Sequence, residues 1–256
     1  MRFVVTAGPT REFIDAVRFL SNPSTGRMGF AVARAARAAG HDVTLIAGPV
    51  ALKTPRGVTR IDVVSARDML NAVRTVIARA DVLVMTAAVA DWRPARRASR
   101  KLKKTEMSDT LHLVRNPDIL KTINQSCGRA ALVAAKTGTT GILPVEAART
   151  GTTGVPPVAL IRIGFAAETG APTAEAARKC REKGLDLVVG NDVTEPGSGF
   201  GTDTNRVTFV TPDGNVQRLP LMSKLAVARR IVSFAERQAA ANRISAAFVA
   251  NLSIGF

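Results

Sequence analysis

Short apolar runs rich in β-branched residues alternate with Ala-rich amphipathic stretches, and this alternation constrains the fold more than any other feature of the chain. "RFVVTAG" ends at Gly8-Pro9, as a buried strand does when a turn follows it. Met28 to Ala39 reads as a helix, with Arg27, Arg34 and Arg37 near its solvent side and Gly40 as its stop. "DVTLIAGPV" is a second strand closed by Gly-Pro; Ser65 can cap a helix through Arg79, and "DVLVMTAAVAD" is a third strand. A βαβαβ order with unbroken apolar strands predicts a parallel sheet joined by right-handed crossovers.

The second half is less regular. Trp92 to Thr110 is polar and cationic and reads as a mobile segment. "LHLV" is a brief strand, and Asn116 precedes "PDILKTINQ", with Pro117 suited to the first turn of a helix. "VALIRIGFAAE" is a strand, Thr173 to Gly184 a helix, and "LDLVVGND" another buried strand. "RVTFVTPDGNVQRL" alternates about Pro-Asp-Gly and predicts a hairpin. Ser223 opens a last helix, "KLAVARRIVSFAERQAAA". The expected organisation is one α/β domain over 1–235, with 236–256 an unassigned tail. "TGTTGILPV" at Thr137 recurs thirteen residues on as "TGTTGVPPV", so 130–158 reads as an insertion loop carrying a tandem repeat.

With 46% hydrophobic residues in 256, the chain can bury a substantial core, yet it has no apolar run of roughly 18 residues that would span a membrane. No secretory signal is legible at the N-terminus, and Cys127 and Cys180 alone make neither a disulfide framework nor a zinc site, so a cytoplasmic location is expected. The formal charge of +16 admits nucleic-acid binding, a pocket for small anions, or arginines on solvated helix faces. Aromatic residues make up only 4%, Trp92 is the one tryptophan, and the basic residues are dispersed, which argues against a base-stacking surface. His41 and His112 are the only histidines and sit at structural positions, so a Ser-His-Asp triad or a histidine metal cluster has little to build on.

In an open parallel sheet, ligands bind beyond the carboxyl ends of the strands. That rule gathers "TAGPT", "TAAVAD", "GFAAET" and "GNDVTEP", small polar segments directly after apolar runs. "SNPSTGRMG" leads the first helix; it either only turns the chain or offers free N–H groups to an anion. Neither a G-x-G-x-x-G fingerprint nor a G-x-x-x-x-G-K-[ST] loop is present. Lys179 and Lys183, four apart, can project from one helix face, as a solvated pair or as phosphate contacts. Cys180 between them could have a lowered pKa but reads as a bystander.

"VTAGPTREFIDAVRFLSNPSTGRMG", "TAAVADWRP", "KLKK", "NPDIL", "GFAAET", "NDV" and "LPLMSK" stand in the order seen in phosphopantothenate–cysteine ligases, and the chain resembles that family from Arg2 to about Val232 apart from the Thr/Gly/Pro repeat. The resemblance implies a modified Rossmann-like, three-layer parallel sheet with an additional β-hairpin, and a homodimer. It implies an acid–amino-acid ligase of coenzyme A biosynthesis that joins cysteine to 4'-phosphopantothenate through an acyl-nucleotide. CTP is the favoured co-substrate over ATP, with Mg2+ as cofactor. By the same resemblance Met85, Thr86, Ala87, Asp91, Lys101, Pro117, Asp118, Ile119, Leu120, Phe165, Lys179 and Lys183 contact the nucleotide, Asn22 supports conversion of the acyl-nucleotide, and Arg18 lies in the same functional segment. Many bacterial members carry this region behind a flavin-containing decarboxylase; this sequence starts at the ligase region, so a separate decarboxylase is an expected partner. Pro9 and Arg27 stand where Gly and Lys are frequent. The rival readings are a nicotinamide-dependent Rossmann oxidoreductase, disfavoured by the missing glycine fingerprint, and a basic nucleic-acid-binding protein.

Overall fold

A computed structural model describes residues 1–125 and 159–252, with side chains through 245. The first expected strand forms as β1 (Arg2–Ala7); two unexpected three-residue strands, β2 (Arg11–Phe13) and β3 (Phe19–Ser21), then pair as an antiparallel ribbon before helix α1 (Arg27–Ala38) begins. β4 (Asp42–Ala47), β5 (Thr59–Asp62), α2 (Ala66–Val76) and β6 (Val82–Met85) complete the first half. β7 (Trp92–Pro94) and β8 (Leu113–Arg115) make a second ribbon, and α3 is described over 119–125. β9 (Ile161–Glu168), α4 (Thr173–Glu182) and β10 (Leu187–Asp192) follow. Beyond them lie β11 (Thr204–Asn205), β12 (Thr208–Val210), β13 (Val216–Arg218), β14 (Met222–Ser223) and α5 (Lys224–Leu252).

The central sheet has eight strands in the order β13-β12-β10-β9-β6-β1-β4-β5. The six from β10 to β5 run parallel, and the expected Pro-Asp-Gly hairpin, β12-β13, adds antiparallel to β10. Side chains alternate across the sheet and fill two cores. Val5, Leu45, Val84 and Ile163 pack under α1 and α5 with Phe30, Val32 and Ile231. Val4, Ile46, Leu83 and Val188 face α2, α3 and α4 with Met69, Ile123 and Ala176. This is the three-layer architecture that the sequence implies.

Three local readings are corrected. The segment between "DVTLIAGPV" and Ser65, for which no strand is expected, contains β5, an edge strand too polar and short to register as an apolar run. The last helix does not stop at Ala241; α5 continues to Leu252 through what reads as tail, after Ser223 Oγ accepts the Ala226 N–H at its start. The cationic segment after Trp92 contains a strand and internal contacts that the sequence does not announce. β7 pairs with β8, Arg100 bridges to Glu106 at 2.8 Å, and the Lys103 N–H donates to Glu106 at 2.7 Å. The carboxylate of Glu106 gives the local positive charge an internal partner. The repeat at Thr137 to Val158, and Cys127, lie outside the described residues.

Candidate active site

The strand order reverses between β1 and β6: β1 leads outward to β4 and β5, and β6 to β9 and β10. A crevice is expected beyond the carboxyl ends of strands at such a switch point. Here the crevice is built by stitching two strand-tip loops together. The Thr86 hydroxyl donates to the Thr6 carbonyl at 2.6 Å, the Ala87 N–H to Thr6 Oγ1 at 3.2 Å, and the Ala90 N–H to Thr10 Oγ1 at 3.0 Å. The Ala88 N–H reaches the Gly8 carbonyl at 3.0 Å. From the other side Asn116 Nδ2 donates to the Ala90 carbonyl at 2.8 Å, while Arg93 holds the Asn116 Oδ1 at 3.1 Å. Small residues at 86–90 are therefore shaped by bonds to neighbours, leaving their outer faces free to line a cavity.

The amino end of α1 meets these tips at van der Waals distance. Gly26 caps it in the left-handed region, φ +77°, which a side chain would strain. At Gly29 a Cβ would lie 2.5 Å from Ala7 Cβ, 2.5 Å from Thr86 Oγ1 and 2.9 Å from the Thr6 carbonyl oxygen. Only glycine lets the first helical turn sit this close, and Gly26 supplies no side-chain cap. The orphan N–H groups of that turn thus stand at the crevice with a favourable dipole.

Two adjoining cavities result. The first, about 460 Å³, runs from Met85, Ala87 and Asp91 past Asn116 to Leu120 and on to Lys179 and Lys183. The second, about 260 Å³, is walled by Ser24 to Gly29, Thr86 to Val89, Asn191, Gly199, Asn205 and Lys224. They share Ala87, Val89, Asp91, Phe165 and Lys179. Lys179 is the cation at the common wall. Its ammonium donates to the Phe165 carbonyl, and burial, then the charge of Lys183, pull its pKa below the ordinary lysine value. An anion arriving there would oppose that shift and favour the charged form.

Lys183 pairs with Asp118 at 2.9 Å, so α3 and α4 close the first cavity between them. Burial alone would raise the Asp118 carboxyl, but the Lys121 N–H and the Lys183 ammonium outweigh it and hold it below the usual carboxylate range. Among the described residues there is no group of three or more His, Cys, Asp or Glu that could hold a metal by themselves. Cys180 is buried, and burial pushes its thiol up rather than down. It is a core side chain, as expected of a bystander.

Of the residues singled out in the sequence, Met85, Ala87, Asp91, Pro117, Asp118, Ile119, Leu120, Phe165, Lys179 and Lys183 all line the first cavity, and Thr86 lines the second. Asn22 lines neither cavity but is bonded to the wall of the second: its Nδ2 donates to the Ala88 carbonyl at 2.9 Å, which occupies one of the two N–H groups of the amide. Arg18 and Lys101 are brought together elsewhere, in a separate hollow with Leu102, Met107 and Asp109. Asp15 organises that hollow, accepting from the Val17 and Arg18 N–H groups at 2.8 Å each and from the Leu102 N–H at 3.2 Å. The Arg18 guanidinium beside it holds its carboxyl well below the usual range. Arg115, Asn116, Asn191, Asn205 and Lys224 also line the cavities and were not given a site role; Asn116, Asn191 and Lys224 stand in the quoted "NPDIL", "NDV" and "LPLMSK" segments, which was the available signal.

Two joined, cation-lined cavities and an uncapped helix end at the topological switch point place the chain in the class of α/β proteins built to receive small anionic ligands beyond their strand ends. The match to known proteins narrows this class. The family model of the DNA/pantothenate metabolism flavoprotein C-terminal domain matches residues 1–150 and 151–238, and the chain belongs to that family. It is 42% identical over 231 residues to the coenzyme A biosynthesis bifunctional protein CoaBC of Vibrio vulnificus, covering 90% of this chain and 50% of that protein. Against the CoaBC of Bacillus subtilis it is 43% identical over 230 residues, covering 90% and 49%. The chain thus spans about half the length of these curated relatives. The crystal structure of a CoaBC C-terminal domain superposes with a TM-score of 0.66 at 37% identity, covering 91% of this chain and 92% of that one.

Proposed function

We propose that this chain is a phosphopantothenate–cysteine ligase of coenzyme A biosynthesis, consuming a nucleoside triphosphate, with CTP preferred. The observation that carries the reading is the pair of cavities meeting at Asp91, Phe165 and Lys179. Acyl activation requires two substrates to approach across one wall, and family membership supplies the substrate class. In this reading the first cavity takes the nucleotide. Lys179 and Lys183 face its phosphates, while Asn116 and the backbone of the Pro117 to Leu120 turn face the base and sugar. The second takes 4'-phosphopantothenate, with anionic oxygens against the α1 N-terminus.

The carboxylate of the acid attacks the α-phosphorus; a C–O–P linkage forms and the bond to pyrophosphate breaks. Negative charge accumulates on the phosphorus oxygens and the departing pyrophosphate, where fixed cations stabilise it most. Lys179 is placed for this at the common wall. The amine of cysteine then attacks the acyl carbonyl, the amide forms, and the nucleoside monophosphate leaves. The free N–H of Asn22 donates to the oxyanion of that step, its other N–H being anchored on Ala88. Mg2+ is held mainly by phosphate oxygens in such sites, with one or two carboxylates sufficing. Asp91, common to both cavities, fits that need, and the ion would screen phosphate charge.

Lys101 reaches the triphosphate only if the 100–107 segment closes over the first cavity, because in the free protein it lines the Arg18 hollow. A homodimer, a cytoplasmic setting and a decarboxylase acting on the product complete the proposal. The test is release of pyrophosphate from each triphosphate in turn, with phosphopantothenate and cysteine present. Turnover requiring the acid, with 4'-phosphopantothenoylcysteine as product and CTP ahead of ATP, is expected; nucleotide-independent or acid-independent turnover overturns it.

A further inference from the structure

Lys224 is the first residue of α5, yet its side chain does not serve the helix. It is 7% exposed, and its ammonium donates to the Gly199 carbonyl at 2.8 Å and to the Thr202 carbonyl at 2.6 Å. Its own N–H donates to the Asp203 carbonyl at 2.9 Å. All three acceptors belong to the loop between β10 and β11, which forms the outer wall of the second cavity through Gly199 and Phe200.

A buried ammonium on two neutral carbonyls is a costly arrangement. Burial, and after it the charge of Arg27, pull the Lys224 pKa down, and Asp203 only partly offsets them. The nearest carboxylate is already engaged, since Asp203 pairs with Arg27 at 2.7 Å. The loop is held partly from within, where Thr202 Oγ1 donates to the Thr204 carbonyl at 2.8 Å and Thr204 Oγ1 to the Gly197 carbonyl at 2.5 Å, and partly by Arg27, which donates to the Gly201 carbonyl at 2.9 Å. Gly199 sits at φ +85°, and a Cβ there would lie 2.8 Å from the Val193 carbonyl oxygen. Its inner bonds centre on Asn205 Oδ1, which accepts from Ser198 Oγ at 2.6 Å and from the Gly199 N–H at 3.3 Å. Arg27 ties the loop at Gly201 and Asp203 from α1, whereas Lys224 crosses from α5 to the Gly199 and Thr202 carbonyls and itself borders the cavity, with its third N–H directed to neither carbonyl.

We propose that Lys224 is a positioning residue that latches the 197–205 loop as the wall of the second cavity and thereby sets the affinity for the phosphorylated acid, not for the nucleotide. The assignment of substrates to cavities rests on the function proposed above, whereas the latch itself does not.

The experiment has two arms. Amide hydrogen exchange on free wild-type protein, Lys224→Met and Lys224→Gln reads the latch without any substrate. Exchange about tenfold faster at Ser198, Gly199 and Arg206 in Lys224→Met, with the sheet unchanged and Lys224→Gln intermediate, is expected. Equal exchange in all three proteins, acceleration spread over the whole domain, or loss of the folded state in both variants overturns the latch. Steady-state kinetics form the second arm: KM for phosphopantothenate about tenfold higher in Lys224→Met, with KM for CTP within about twofold, is expected. A loosened loop with both KM values raised alike overturns the link to the acid site. Wild-type protein that shows the protected loop but no ligation refutes the proposed function and leaves the latch standing.

Discussion

Gly29→Ala puts the closeness of α1 to the strand tips under direct test. In an exposed helix the change would stabilise by about 0.8–1 kcal/mol, because alanine is the better helix former. Here the new methyl would stand 2.5 Å from Ala7 Cβ, 2.5 Å from Thr86 Oγ1 and 2.9 Å from the Thr6 carbonyl oxygen. None of the three is the far end of a flexible chain. Ala7 and Thr6 belong to β1, and Thr86 Oγ1 is fixed by its bond to the Thr6 carbonyl. Overpacking of this kind costs about 1–3 kcal/mol and exceeds the propensity gain except at its lower edge, leaving a net loss of up to about 2 kcal/mol. For a chain of this length that is a fall in Tm of up to about 8 °C. Urea unfolding followed by circular dichroism gives the same quantity at 25 °C. The relief available to the protein is withdrawal of the helix end from the tips, which weakens the anion site, so KM for phosphopantothenate should rise as well. A variant with unchanged or raised Tm and unaltered KM would refute the close packing and the role given to the helix terminus.

Lys101→Gln is expected to leave Tm within about 1 °C, because the residue is an exposed surface side chain, and to slow pyrophosphate release at least tenfold, roughly the worth of one charge-assisted phosphate contact; wild-type turnover would remove Lys101 from the chemistry. Asn22→Asp should still form the acyl-nucleotide but transfer it to cysteine more slowly, and equal loss in both half-reactions, measured by single-turnover quench, would contradict the oxyanion role. The Asp15 carboxyl, held far below its ordinary range by Arg18, contributes stability that is fully present above the unfolded carboxylate pKa and is lost as pH falls through the depressed folded value. Asp15→Asn at neutral pH should therefore free the Arg18–Leu102 connection and speed exchange at the Leu102 amide, with β1 and β6 unaffected; the same exchange in both proteins would count against it.

The parallel sheet was legible because β1, β4, β6, β9 and β10 are buried on both faces and so read as unbroken apolar runs. β5 was not, since an edge strand with Thr59 and Asp62 exposed carries no such signature. The β2-β3 ribbon, three residues to a strand, hides between Gly8 and the start of α1, and accounts for the absence of a tight glycine fingerprint there. At the site, strand-end position located Ala87, Asp91 and Phe165, and helical spacing located Lys179 with Lys183. The closeness of Arg18 to Lys101, and of Lys224 to Gly199, joins segments far apart in the chain, and no periodicity encodes such pairs. The motif order supplied by the family resemblance carried the nucleotide-contact residues, and the fold brings them to one cavity except Lys101 and, at the second cavity, Thr86.

Soaking crystals of the protein with CTP and phosphopantothenate in the absence of cysteine tests the central claim most directly, because the acyl-nucleotide then has no acceptor. The account expects one continuous ligand crossing from the cavity at Asn116 and Lys183 to the cavity at the α1 N-terminus, with its phosphorus beside Lys179. A nucleotide bound away from Lys179 and Phe165, or an acid bound outside the second cavity while the nucleotide is in place, would contradict it.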